Sequence, residues 1–142
     1  AQCYAFFNNK HLVGHYLKGQ ILELDYNAHT NNGDPFTAIR AAQAVHTDRK
    51  RIFHKQLEIE FESGVGVDAS TDPEAILEWS DDGGHTWSNQ HTATFGKLGE
   101  YTKRAIWRRL GNSRGRVYRV TINDPVKRVI IGANLEVELG RN

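Results

Sequence analysis

Between two tryptophans the chain reads WSDDGGHTWS (Trp79–Ser88), which gathers Asp81, Asp82 and His85 within five residues. These are the residue types of acid–base and metal chemistry. Glycoside hydrolysis needs two carboxylates that reach one bond from opposite sides. Adjacent aspartates on a turn tip cannot do that alone, so Asp68 or Asp72 would have to supply the second group. His11 and His15 have the i, i+4 spacing of a zinc pair on a helix, but Gly14 lies between them in a segment that reads as strand and turn. His46, His54, His85 and His91 form no ligand motif, and Cys3 has no partner at metal-binding or disulfide spacing. We therefore expect no catalytic residue, no metal and no cofactor.

The same stretch has the residue types of a tight turn. Ser80-x-Asp82-x-Gly84-x-Thr86-Trp87 fits the Asp-box pattern found in many β-propellers and related β proteins. An aspartate can accept backbone N–H bonds inside its own turn, glycine supplies positive φ, and Thr86-Trp87 returns the chain to a strand. Ser80, Asp82, Gly84, Thr86 and Trp87 are thus expected to shape a hairpin tip, with the Asp82 carboxylate already occupied.

The elements around this tip alternate with period two. QLEIEFE (Gln56–Glu62) places Leu57, Ile59 and Phe61 on one face. AILEW places Ala75, Leu77 and Trp79 together, and RVYRVTI (Arg116–Ile122) does so for Tyr118, Val120 and Ile122. VIIGANLEVEL directs Val129, Ile131, Ala133, Leu135, Val137 and Leu139 inward, with Asn134, Glu136 and Glu138 outward. Such alternation predicts antiparallel strands with one buried face. The intervening ESGVG, STDP, SDDGG, LGNSRG and NDP are turn clusters. TAIRAAQAV (Thr37–Val45) is the one candidate helix, and its apolar residues also fit a strand, which we favour. HLVGHYLKGQILELD (His11–Asp25) predicts two strands about a turn at Lys18-Gly19, separated from the rest by NAHTNNGDP. One hairpin is not stable alone, so it is expected to close a larger β structure such as a propeller blade. The fold class is all-β: an antiparallel β-sandwich over residues 36–142, preceded in 1–35 by remnant strands of a propeller-like domain and a linker.

The 142 residues can bury a core without staples. No apolar run reaches the ~18 residues of a membrane span. Methionine is absent, including from position 1, so either the start is processed away or, the reading we favour, the sequence is a piece of a longer chain. The formal charge of +1 conceals an asymmetry. Gln56–Gly96 holds nine carboxylates and no Lys or Arg, whereas Tyr101–Asn123 holds seven cations and no carboxylate. Arg104 and Arg108 alternate with Ile106 and Leu110 on one face, and Lys103, Trp107 and Arg109 on the other, so this strand is expected to carry charge on both. Three readings stand side by side: cross-strand pairing with Glu58, Glu60 and Glu62, phosphate contact with nucleic acid, and a head-to-tail contact between copies that closes a ring. The candidate intersubunit or DNA-facing residues are Arg104, Arg108, Arg109, Arg114 and Arg116, with Glu58, Glu60 and Glu62 as the opposing acidic face.

WSDDGGHTWS, GKLGEYTKRAIWRRLG, RVYRVTINDPVK and IIGANLEVE, with HLVGHYLKGQILELD, NNGDPFTAIRA and RIFHKQLEIEFESGVG before them, carry a resemblance. The chain resembles the C-terminal part of the packaged-DNA stabilisation proteins of short-tailed bacteriophages, the tail hub or tail nozzle. That resemblance implies a structural virion protein, assembled in the host cytoplasm as a homohexameric ring beneath the portal and its adaptor. It implies closure of the DNA channel, retention of the packaged genome, and attachment of the tail needle or tailspikes. Non-specific phosphate contact with channel DNA is a candidate role for the basic run. It also implies a longer natural chain with a propeller before the part seen here, and it transfers no catalytic residue. The rival is a carbohydrate-binding or sialidase-like module, motivated by the Asp-box pattern and by Trp79, Trp87 and Trp107 as sugar-stacking surfaces.

Overall fold

The computed structural model describes residues 3–62, 64 and 72–141. The chain divides into two units, Ala1–Phe36 and Thr37–Asn142. In the first, β1 (Tyr4–Phe7), β2 (Lys10–Gly14) and β3 (Ile21–Glu23) form an antiparallel meander, and β4 (Thr30–Asn31) pairs with β5 (Asp34–Pro35). The second pairing corrects the assignment of NAHTNNGDP as breaker alone. Asn32 and Gly33 have φ of 55° and 90°, as a two-residue hairpin turn between right-twisted strands requires.

The second unit contains β6 (Ala38–Ala41), β7 (Val45–His46), β8 (Ile52–Phe61), β9 (Glu74–Ser80), β10 (His91–Thr94), β11 (Ala105–Arg108), β12 (Asn112–Ser113), β13 (Gly115–Ile122) and β14 (Ile130–Leu139). The alanine-rich segment is thus extended, as β6 and β7. One sheet has the order β10–β9–β13–β6, with β7 also on β13. In the other, β8 is central. β14 pairs with it from Phe61 to Ile52, so β11 and β12, which pair with Gln56–Ile59 and Ile52–Phe53, share its opposite edge. Every pairing is antiparallel, and the two sheets make a β-sandwich.

The core lies between the sheets. Leu57, Ile59 and Phe61 of β8 and Ala105 and Trp107 of β11 meet Ala75 and Leu77 of β9 and Tyr118, Val120 and Ile122 of β13. Phe61 packs on Phe95 with ring centroids 4.5 Å apart. Burying side chains of this size contributes about 1.5–3 kcal/mol each, which makes these residues the main source of the unit's stability.

Two departures from strict alternation decide where the polar groups go. Ile52, His54, Leu57, Ile59 and Phe61 are all buried, so β8 changes phase between His54 and Leu57. There the pairing steps from His54↔Val137 to Gln56↔Glu136, which leaves Lys55 as an extra residue, a β-bulge. Across the other edge Arg109 has φ 59°, and its N–H donates to the Lys55 carbonyl at 3.0 Å. That left-handed residue turns Leu110 into the core beside Trp107, while Arg108 stays outside. This corrects the grouping of Leu110 with Arg104 and Arg108, and the expectation that both faces of β11 are charged.

β14 departs differently. A register shift sets Ile130, rather than Ile131, opposite Phe61. Ala133 and Leu135 then pair with Ile59 and Leu57, and Val137 and Leu139 with His54 and Ile52. Apart from the half-buried Leu135, the β14 face is nevertheless largely uncovered, with Ile130 40%, Val137 42% and Leu139 54% exposed. β14 and β6 are edge strands of opposite sheets, and an open cleft of about 760 Å³ separates them, lined by Ala38, Val45, Leu57, Val120, Ala133 and Leu135.

Truncation should separate the two classes of apolar position. Phe61→Ala should lose about 3–5 kcal/mol of unfolding free energy, whereas Ile131→Ala should lose under about 1 kcal/mol because it is already in water. Urea unfolding of both variants checks this, and equal losses would show that β14 is part of the core.

Candidate interaction site

The Trp79–Ser88 turn is closed by its own short side chains. The Ser88 N–H donates to the Trp79 carbonyl at 2.8 Å, and the Trp79 N–H to Ser88 Oγ at 3.1 Å. Ser80 Oγ accepts from the Gly84 N–H (2.8 Å) and donates to Asp82 Oδ1 (2.6 Å). Asp82 also accepts the His85 N–H (3.0 Å), the Thr86 N–H (2.9 and 3.0 Å) and the Thr86 hydroxyl (2.6 Å). Gly83 and Gly84 supply φ of 77° and 101°. The Ser80 hydroxyl, then the Thr86 hydroxyl and amide, hold the Asp82 carboxyl far below the ordinary carboxylate range. An ion so fully bonded neither takes up nor delivers a proton near neutrality.

Asp81 faces the other way, into a bidentate pair with Arg116 (Nε–Oδ1 2.6 Å, Nη2–Oδ2 2.8 Å). Arg116 is only 3% exposed and Asp81 46%. The guanidinium also donates to the carbonyls of Leu110 and Asn112, and lies over the Trp79 ring, 5.0 Å from its centroid. This corrects the expectation for Arg116. It sits on the inward face of β13 with Tyr118, Val120 and Ile122, and its donors are spent inside the unit, so it cannot contact DNA or a neighbour.

Next to it is a buried polar chain that the sequence reading missed. His54, 2% exposed, bonds Ser113 Oγ through Nε2 and the Tyr118 hydroxyl through Nδ1, both at 2.9 Å. Burial and, secondarily, the Arg116 charge push the imidazole down to about 4, so it is neutral at physiological pH. One ring nitrogen donates and the other accepts, and the hydroxyls can rotate to complement either tautomer. Among the described residues no buried side-chain polar atom lacks a partner. Period two extended back from Tyr118 would have found Arg116. His54 was hidden by the bulge at Lys55.

The remaining candidates are separated. Asp72 is paired with Lys103 at 2.5 Å, and Asp68 lies outside the described residues. His11 bonds the Tyr4 hydroxyl at 2.6 Å, and His15 Nδ1 accepts the N–H groups of Leu17 and Lys18, so neither ring is set up as half of a zinc pair. The tryptophans are engaged: Trp79 between His91 and Arg116, Trp87 under the Arg119 guanidinium at 3.8 Å, and Trp107 in the core. None offers the bare ring that sugar stacking requires, so the geometry gives no support to a carbohydrate module.

The acidic run is largely neutralised from within. Glu58 pairs with Arg104, Glu62 with Lys127 and Glu78 with Arg119. Of the described carboxylates from Glu58 to Asp82, only Glu60 and Glu74 form neither an ion pair nor a bond to a turn donor, and Glu60 still lies within the field of Arg104. Of the candidate cations, among the described residues Arg104 is paired, Arg108 donates only to Gln56, Arg109 has no side-chain partner, and Arg114 donates to the Arg49 carbonyl. Arg108, Arg109 and Arg114 therefore stand on the surface with no described carboxylate against them.

Two outcomes follow from the buried groups. Asp81→Ala strands the Arg116 charge in the core. It should destabilise by about 2 kcal/mol or more in urea unfolding, below the ~3–5 of a fully enclosed pair because Asp81 is half in water. His54 binds its proton less readily folded than unfolded, about 4 against 6.5. As pH falls, the unfolded chain is protonated first, so the His54 contribution is complete above pH 6.5 and lost between 6.5 and 4, on the order of 3 kcal/mol. Unfolding titrations of the natural chain and His54→Gln should differ in slope across that window, and parallel curves would refute the assignment.

No curated protein matches the chain. Residues 38–138 match the family described as Bacteriophage P22 Gp10, beta-sandwich. The match begins where β6 begins and ends one residue before β14 does. Spanning well over half of the chain and the whole double sheet, it shows that this protein belongs to the Bacteriophage P22 Gp10 β-sandwich family, a family of structural phage tail proteins.

Proposed function

We propose that the chain serves in the tail of a short-tailed phage as a nozzle or hub. It attaches below the portal–adaptor, closes the DNA channel and retains the packaged genome. The observation that carries this reading is the family match over the entire sandwich. Two features of the surface support assembly. The cleft between β6 and β14 leaves apolar side chains in water along two free strand edges, where a further chain can pack. Arg108, Arg109 and Arg114 add positive charge with no described carboxylate against it for a partner to meet, and Glu60 is the one described member of the acidic face that makes no ion pair.

The natural protein accordingly works as a closed ring of copies, six by the resemblance, that binds the adaptor above it and the needle or tailspikes below. A propeller-like domain that Ala1–Phe36 would close belongs to the same proposal. Assembly takes place in the host cytoplasm, and the finished protein resides in the virion.

Native mass spectrometry of the longest natural form, alone and with a portal–adaptor complex, tests this. The expected result is a closed ring, or a monomer that becomes a ring on the adaptor. A chain that stays monomeric and ignores the adaptor at every salt concentration would defeat the proposal.

A further inference from the structure

The end of the sandwich where β8 begins concentrates positive charge from three separate segments. Arg49, Lys50 and Arg51 lead into β8, Arg114 lies between β12 and β13, and Arg141 follows β14. The fold brings these segments together. Arg114 Nη1 donates to the Arg49 carbonyl at 3.0 Å, and the Gly140 N–H donates to the Arg51 carbonyl at 2.8 Å. All five side chains are exposed. Among the described residues, none of the five forms an ion pair. Arg108 and Arg109 extend the patch along the same edge, to a level about 17 Å from Arg51 at a rise of ~3.4 Å per residue. The carboxylates nearby are Asp48 in the same loop, Glu138, which is taken by Lys55 at 2.7 Å, and Glu136 beside it.

We infer that this end is a polyanion site that takes the phosphate backbone of double-stranded DNA. A second copy is a poor match for it, because most of the acidic run that would have to face it already holds cations of its own chain. Glu58, Glu62, Glu78 and Asp81 each hold a cation of their own chain. Neutralising the patch therefore calls for a ligand that brings a dense row of negative charge, and duplex DNA presents one about every 1.7 Å of axis. The guanidinium forks of Arg49, Arg51, Arg114 and Arg141 suit phosphate oxygens. The patch has no inserted helix or β-ribbon for reading base edges, so binding is independent of sequence. The choice of DNA among polyanions rests on the tail function proposed above, whereas the site itself does not.

The test is fluorescence anisotropy of the full natural chain with two unrelated 20-base-pair duplexes and with polyglutamate. With about four phosphates neutralised, affinity for both duplexes should fall roughly a hundredfold between 50 and 200 mM salt. Lys50→Glu with Arg141→Glu, at side chains that form no bond among the described residues, should weaken binding at least about tenfold with an unchanged thermal midpoint. Arg49→Gln with Arg114→Gln should lower the logarithmic salt slope by about two. Duplex affinity that is insensitive to salt, or unmoved by both pairs, overturns the site. Preference for polyglutamate over duplex overturns DNA as the ligand and assigns an acidic protein surface instead. Duplex binding that survives in a chain unable to join the adaptor would refute the tail reading and leave the site standing.

Discussion

The guanidinium of Arg116 is the constraint around which the sandwich closes. A permanent charge on the inward face of a core strand is tolerated only if every donor finds an acceptor there. The acceptors come from three places: the Asp81 carboxylate on the hairpin tip, the Leu110 carbonyl between β11 and β12, and the Asn112 carbonyl at the start of β12. The hairpin belongs to one sheet and the β11–β12 segment to the other, so the charge requires the two sheets to meet in one register. His54, Tyr118 and Ser113 continue the polar chain across the interior, with Tyr118 and His54 on opposite sheets.

That arrangement explains why a stretch with two aspartates and a histidine is not a reactive centre. Asp82 is saturated by Ser80, His85 and Thr86, and it makes the tip rigid. The rigid tip in turn presents Asp81 to Arg116. Adjacent carboxylates thus have distinct structural tasks, and neither has a free lone pair directed at a common point. The side chains that chemistry would recruit are the ones holding the fold together, as suits a tail protein of the Bacteriophage P22 Gp10 β-sandwich family.

What remains for partners is peripheral. The two sheets diverge at β6 and β14, where apolar surface stays in water, and the end at Arg51 collects cations that no described carboxylate neutralises. Charge elsewhere is balanced locally across strands: Glu58 with Arg104, Glu78 with Arg119, Glu62 with Lys127. The uneven distribution of sign along the chain becomes, once folded, a mostly neutral sandwich with one basic end.

Period-two alternation by itself determined the all-β class and the buried faces of β13 and of β8 from Leu57 to Phe61, and the Ser-x-Asp-x-Gly-x-Thr spacing determined the turn at Asp82, because those depend on contacts within a few residues. The same alternation, carried two residues upstream of Tyr118, places Arg116 inside. Positions beyond an irregularity were decided only by the tertiary structure. The extra residue at Lys55 and the left-handed Arg109 shift the phase of two paired strands together, which buries His54 and Leu110 and frees Arg108. Whether an inward face is covered depends on what the opposite sheet provides, and Ile130 is exposed because β6, the counterpart edge, leaves a cleft there. The basic end has the same origin. Arg49, Arg114 and Arg141 are remote in sequence and become neighbours because β8 pairs with β12 on one side and β14 on the other.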